Sequence, residues 1–224
     1  MELQVKFKMN EQLYIRNPED SELGRKIVRA SVNMIREIGF ESFTFKKLAT
    51  EIETTEASVY RYFENKHRLL VYLITWYWCW LEYRVIVSGM NTDDSELKIK
   101  RIIRLLTEES NEIQGFEGLN QNALYHIVVW EGSKAYLTHH VSEDNKARLF
   151  KPYKDLAGRI AGVFKEYNTK YKYSRSLASS LLEMAHYQTF FMHNLPSLTD
   201  FAEKKDKKEV TRFLEHMVFS CLNQ

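Results

Sequence analysis

Apolar residues recur at helical spacing through most of this chain. Leu23, Ile27, Ala30, Met34 and Ile38 stand three and four apart, a single stripe along an amphipathic helix. Before it, Asn17-Pro18-Glu19-Asp20 supplies a capping side chain, a proline at the first helical position and acids where the macrodipole favours them. Gly39 follows where a left-handed C-cap costs least, and Phe40 offers the apolar contact that accompanies such caps. Thr44 then reads as the N-cap of a short helix carrying Phe45, Leu48, Ala49 and Ile52, and Thr55 as the cap of a second over residues 56–63. In the second, Val59 and Phe63 face inward, and at 100° per residue Ala57, Ser58, Tyr60 and Arg61 fall on the opposite face. Two short helices joined by a tight turn behind a longer one make a helix-turn-helix.

Downstream, residues 69–81 form an apolar run broken only by Thr75. Residues 88–94 read as a loop, 95–113 as a helix, 115–118 as a break and 119–130 as another helix. A polar stretch through His139 and His140 leads to a helix over 142–167, a connection over 168–174, and two last helices, 175–193 and 206–222, separated by Leu195-Pro196-Ser197-Leu198. No repeat or strand-like alternation competes, so an all-α fold is expected: an arm and helix-turn-helix over 1–66 and a larger helical domain over 67–224.

Composition narrows the class. Eight Gly and three Pro against 44% hydrophobic and 28% charged residues exclude a disordered or collagen-like chain and disfavour a turn-dense β-sandwich. Cys79 and Cys221 form no C-x-x-C, so no disulfide framework or cysteine-rich zinc site is expected, and a reducing cytoplasm fits. The first ten residues lack the apolar core of a secretory signal, and the 69–81 run is shorter than the roughly 20 residues that span a bilayer. Charge points to no partner: the net value is +2, and residues 1–66 hold eleven basic and eleven acidic side chains.

Pattern does point to one. Gly39-Phe40-x-x-x-Thr44, Phe45-x-x-Leu48-Ala49 and Ser58-Val59-Tyr60-Arg61-Tyr62-Phe63-x-x-Lys66-x-x-Leu69-Leu70, in that order and spacing, resemble the N-terminal domain of the TetR/AcrR family of transcriptional regulators. The resemblance implies a three-helix DNA-binding head on a helical ligand-binding and dimerisation body, acting as a homodimer on a palindromic operator and usually as a repressor released by a small molecule. Ala57, Ser58, Tyr60 and Arg61 would then face the major groove, Arg61 as the side chain able to hold guanine in bidentate fashion. Thr44, Tyr62 and Lys66 stand where the family contacts phosphate. Thr55 caps the recognition helix, and Lys46 and Lys47 add salt-dependent footing. The turn departs from the family pattern: Glu53-Thr54-Thr55 stands in place of Gly-Val-Ser, which implies another turn geometry or a strain of about 1 kcal/mol at Glu53. Glu56 helps the helix start but repels phosphate.

In the body, Trp76, Trp80 and Tyr83 on one helix and His126 and Trp130 on a later one are the candidate ligand-binding residues: aromatic walls with polar handles, or equally core rings. The last two helices are apolar on more than one face, and Leu181, Met184, Phe191, Phe213 and Met217 are the candidate dimer contacts. No cofactor or resident metal is expected. The competing class is a metal-dependent helical-bundle enzyme, because Glu183-x-x-His186 and Glu64-x-x-His67 share a ligand spacing, although further inward glutamates are lacking. A helix-turn-helix dimer that binds a ligand or protein without DNA is the third reading, motivated by the neutral head.

Overall fold

The structure, a computed structural model, describes residues 7–107, 119–139 and 141–224. Among the described residues the regular elements are all helical: α1 (Glu22–Ser42), α2 (Phe45–Glu51), α3 (Glu56–Tyr60), α4 (Lys66–Gly89), α5 (Ser95–Thr107), α6 (Gln121–Glu131), α7 (Ser133–Tyr136), α8 (Val141–Lys146), α9 (Lys151–Tyr167), α10 (Ser174–Asn194) and α11 (Lys207–Leu222). None of these helices is long and apolar enough to cross a membrane. They pack into two units. One holds the described residues of 1–77 and 109–151, the other those of 78–108 and 152–224, so α4 contributes to both.

In the first unit the arm ahead of α1 is part of the core. Leu13 is fully buried, the Phe7 ring meets the Trp76 ring edge-on at 5.6 Å, and Asn10 Nδ2 donates to the Ala147 carbonyl at 2.8 Å. Asn17 caps a separate 3-10 turn over Pro18–Asp20, and α1 starts afterwards, capped by Ser21. The turn lies so close that a Cβ on Gly24 would stand 2.3 Å from the Pro18 carbonyl oxygen, which only glycine avoids. The buried face of α1 is Gly24, Ile27, Val28, Ser31, Val32 and Ile35. The stripe expected from the sequence is thus rotated, and Ile38 is exposed. Ser31 enters the core at low cost because its hydroxyl donates to the Ile27 carbonyl at 2.7 Å, which hides it from a pattern of apolar letters.

At Gly39 the backbone turns to φ 75°, ψ 157°, a region essentially reserved for glycine, so the expected left-handed C-cap is instead a kink, and the cap of α1 is Phe43, whose N–H donates to the Gly39 carbonyl. Two segments end differently from the sequence reading, and the end of a third lies outside the described residues. α3 closes at Tyr60 rather than at 63, α8 and α9 replace one helix over 142–167, and α5 is described to Thr107, residues 108–118 with the expected 115–118 break lying outside the described residues. The second break lies at residues 147–150, where Arg148 turns with φ 59°, and Pro152 falls in the first turn of α9, where a proline costs least.

The second unit is built on Ile99, Ile103, Leu156, Ile160, Phe164, Leu181, Leu182, Leu214 and Val218, all essentially without solvent exposure. Two polar pairs lie within it: Tyr153 donates to Glu183 at 2.6 Å, and the Thr107 and Thr211 hydroxyls meet at 2.8 Å. Burial and the Glu183 hydrogen bond hold Tyr153 protonated.

Candidate nucleic-acid interface

The head is assembled by capping. Thr44 Oγ1 accepts from the Lys47 N–H at 3.2 Å and starts α2; Thr55 Oγ1 accepts from the Ser58 N–H at 3.2 Å and starts α3, with the two hydroxyls of Thr55 and Ser58 2.9 Å apart. Lys26 Nζ donates to the Ile52 carbonyl at 3.0 Å, closing α2 against α1. The turn between α2 and α3 places Glu53 at φ 56°, the left-handed region. The turn geometry therefore follows the glycine of the family pattern, with glutamate carrying the strain.

Anchored by the fully buried Val59 and Phe63, α3 turns Ala57, Tyr60 and Arg61 outward and Ser58 partly so. Tyr60 is 46% exposed while its ring packs 5.0 Å from Phe45, which fixes its direction. Among the described residues Arg61 and Lys46 make no hydrogen bond or ion pair with their side chains, so both are available to an anion. A third uncommitted cation was not among the sequence candidates: Arg16 of the arm, whose guanidinium carbon lies 5.6 Å from the Tyr62 ring centroid. The Ile15 N–H donates to the Tyr62 carbonyl at 2.8 Å and brings the arm there. No local pattern marks this contact, because residues 15 and 62 meet only in the fold.

Two expected phosphate contacts are differently employed. Tyr62 is 2% exposed, with its hydroxyl 2.7 Å from Ser21 Oγ, so the ring is a wedge between the arm, α1 and the end of α3 rather than a surface group. Lys66 Nζ donates to the carbonyls of Phe40, Glu41 and Phe43 at 3.0, 3.1 and 3.1 Å, covering the open carbonyls at the end of α1. Lys47 Nζ likewise donates to the Ser42 carbonyl at 2.8 Å.

The expected ligand residues are divided between the two units. Trp76 belongs to the first unit, where it is buried against Phe7; Trp80, in the second, is buried with the Arg84 guanidinium 5.1 Å from its ring, and Tyr83 is 41% exposed. His126 and Trp130 do come together on α6, stacked at 4.6 Å. Of the expected dimer contacts, Leu181 has no exposure within its own unit and is corrected to a core residue, because it points with Leu177 and Leu182 into the bundle. Met184, Phe191, Phe213 and Met217 stay half-buried, and Phe191 stacks on the exposed Tyr187 at 5.9 Å.

The residues behind the enzyme alternative are occupied elsewhere. Glu183 accepts from Tyr153, His186 is buried against the Trp78 ring at 5.4 Å, and the exposed Glu64 stands 4.0 Å from Arg68. Among the described residues no three His, Cys, Asp or Glu side chains gather at a point that a metal would occupy, with His140 outside them.

A helix-turn-helix head joined to an all-helical body is the architecture of a class of bacterial regulators. Residues 27–73 match the TetR_N model, described as bacterial regulatory proteins, tetR family, so the chain carries the N-terminal domain of that family. Comparison with curated proteins finds no match. Among solved structures, AibR in complex with isovaleryl coenzyme A and operator DNA is 15% identical, with a TM-score of 0.58 over 87% of this chain and 98% of that one. The fatty acid degradation regulator FadR from Bacillus halodurans is 16% identical, with a TM-score of 0.57 over 86% and 92%. The superantigen PfiT is also 16% identical, with a TM-score of 0.57 over 90% and 95%. At these identities the likeness is one of fold, and it extends beyond the matched head to most of the chain.

Proposed function

We propose that this protein is a homodimeric, cytoplasmic transcriptional regulator that binds a palindromic DNA operator, most simply as a repressor, and releases it when a small molecule binds the body. The observation that carries this reading is the outward face of α3, Ala57, Ser58, Tyr60 and Arg61, held on a capped helix-turn-helix beside the uncommitted cations Lys46 and Arg16. In the major groove that face meets base edges, with Arg61 on guanine and Lys46 and Arg16 on phosphates. Met184, Tyr187 and Phe191 of α10 with Phe213 and Met217 of α11 are the apolar surface for a second copy. A twofold pair then sets the two α3 helices one DNA turn apart, about 34 Å. That AibR was solved with both a coenzyme A thioester and operator DNA supports an effector-responsive reading for this fold.

Selection of genomic fragments at low salt, followed by mobility-shift titration, tests it. The expected result is a palindromic site, lost with Arg61→Ala, and a 53 kDa-class dimer by sedimentation, about twice the 26.7 kDa chain. Failure to select any sequence at low salt refutes the DNA reading. It favours instead a helix-turn-helix dimer that binds a ligand or protein, for which the exposed Glu53 and Glu56, and a superantigen with this fold, are the supporting observations.

A further inference from the structure

Between α1 and α6 lies a recess of about 240 Å³, lined by Ile35, Arg36 and Gly39 from one helix and His126, Ile127, Trp130 and Glu131 from the other. Its wall is the His126–Trp130 stack, tilted by 27°, and its floor the buried side chains of Ile35 and Ile127. Two charges adjoin it, and they differ in what they already hold. Glu131 Oε1 accepts from the Phe40 N–H at 3.0 Å and its Oε2 meets Lys134 Nζ at 2.8 Å, so its charge is answered within the protein. Arg36 is exposed and makes no hydrogen bond or ion pair among the described residues.

A flat aromatic wall, an aliphatic floor and one uncommitted guanidinium make a recognition set for a planar anion. The guanidinium fork matches a carboxylate. An engineered apolar cavity of about 150 Å³ holds benzene. The larger recess therefore has room for a one- or two-ring acid. We propose that this recess binds a small aromatic carboxylate and that its occupancy changes the DNA affinity of the head; the second half rests on the regulatory reading above. The structural link is the wall itself. Gly39 is the bend that kinks α1, the adjoining Phe40 N–H is pinned by Glu131, and Lys66 ties the carbonyls of Phe40, Glu41 and Phe43 just ahead of α2. A ligand between α6 and this bend presses on the segment that sets where α2 and α3 point. Coupling of that kind needs only that the ligand bind one head position better than another.

Calorimetric titration of the full chain with benzoate, 2-naphthoate and the neutral 2-naphthamide reads the site without DNA. Binding of an acid in preference to the amide is expected. Arg36→Gln is expected to weaken the acid about fivefold, in the range of one exposed ion pair, and to leave the amide unchanged. Trp130→Leu, checked by circular dichroism for an intact fold, is expected to weaken both. The site is overturned if neither acid binds at 5 mM on the order of a weak fragment's Kd, if the amide binds as well as the acid, or if Arg36→Gln changes nothing. Mobility shift on a selected operator, with and without the acid, then tests the coupling. An acid that binds but leaves operator affinity unchanged overturns that half. An acid that binds to a protein with no operator at all upholds the site and removes the DNA reading.

Discussion

Glu53 shows how a single residue can keep a motif's geometry while departing from its letters. It occupies φ 56° in the turn where a glycine meets no steric cost, and it is exposed, so its side chain gains nothing from the position. Glu53→Gly is expected to raise stability by about 1 kcal/mol in denaturant titration and to tighten operator binding by removing a negative charge beside the DNA. Lys66 makes the complementary case. Spacing places it near phosphate, but its three donors already serve three carbonyls, a demand no sequence pattern announces. Lys66→Met should lower the unfolding midpoint by the equivalent of about 1–3 kcal/mol, while the slope of operator affinity against salt in the folded variant stays that of the wild type. A reduced slope with unchanged stability would restore Lys66 to the phosphate. Lys46→Ala is the contrasting variant: no loss of stability, and a salt slope smaller by about 1.

At the scale of elements, the short helices are legible from their caps and the long ones only in part. Thr44 and Thr55 mark chain positions where the backbone's own unmet hydrogen bonds dictate the residue, and each caps its helix where the sequence reading placed it. A five-residue helix such as α3 cannot stand on propagation alone. Thr55→Ala is therefore expected to cost about 1 kcal/mol of global stability and to speed amide exchange at Ser58 and Val59 more than in α1. The buried face of α1 departs from its apolar stripe because Ser31 and Gly24 are interior for reasons of hydrogen bonding and close approach, neither of which is apolar character. The break before α9 has one sequence mark, Pro152, which is tolerated in a first turn and not in the interior of the single helix expected over 142–167.

At the scale of the whole molecule, the division of α4 between two units, at residues 77 and 78, falls inside a continuous helix that carries no signal for it. The same scale sets the pH response. Burial pushes the imidazole of His186 down to about 4, so the folded chain keeps it neutral while the unfolded chain protonates it near 6.5. Between those values the unfolded state holds more protons. Stability is therefore full above about pH 6.5 and falls as pH drops toward 4, by about 3 kcal/mol from this group. Unfolding curves from pH 7.5 to 4.5 should show the decline, and His186→Gln should flatten it; an unchanged slope in that variant would assign the acid sensitivity to other groups.

By itself the sequence determined the helical class, the capped helix-turn-helix and the outward face of α3, because local hydrogen-bond demand and helical periodicity act over a few residues. Tertiary structure decided which cations are uncommitted, that Tyr62 is a wedge and Leu181 a core residue, and that His126 and Trp130 face Arg36 across a recess. Those facts depend on which side chains from distant stretches meet, and on donors already spent there, and both are settled only when the chain packs.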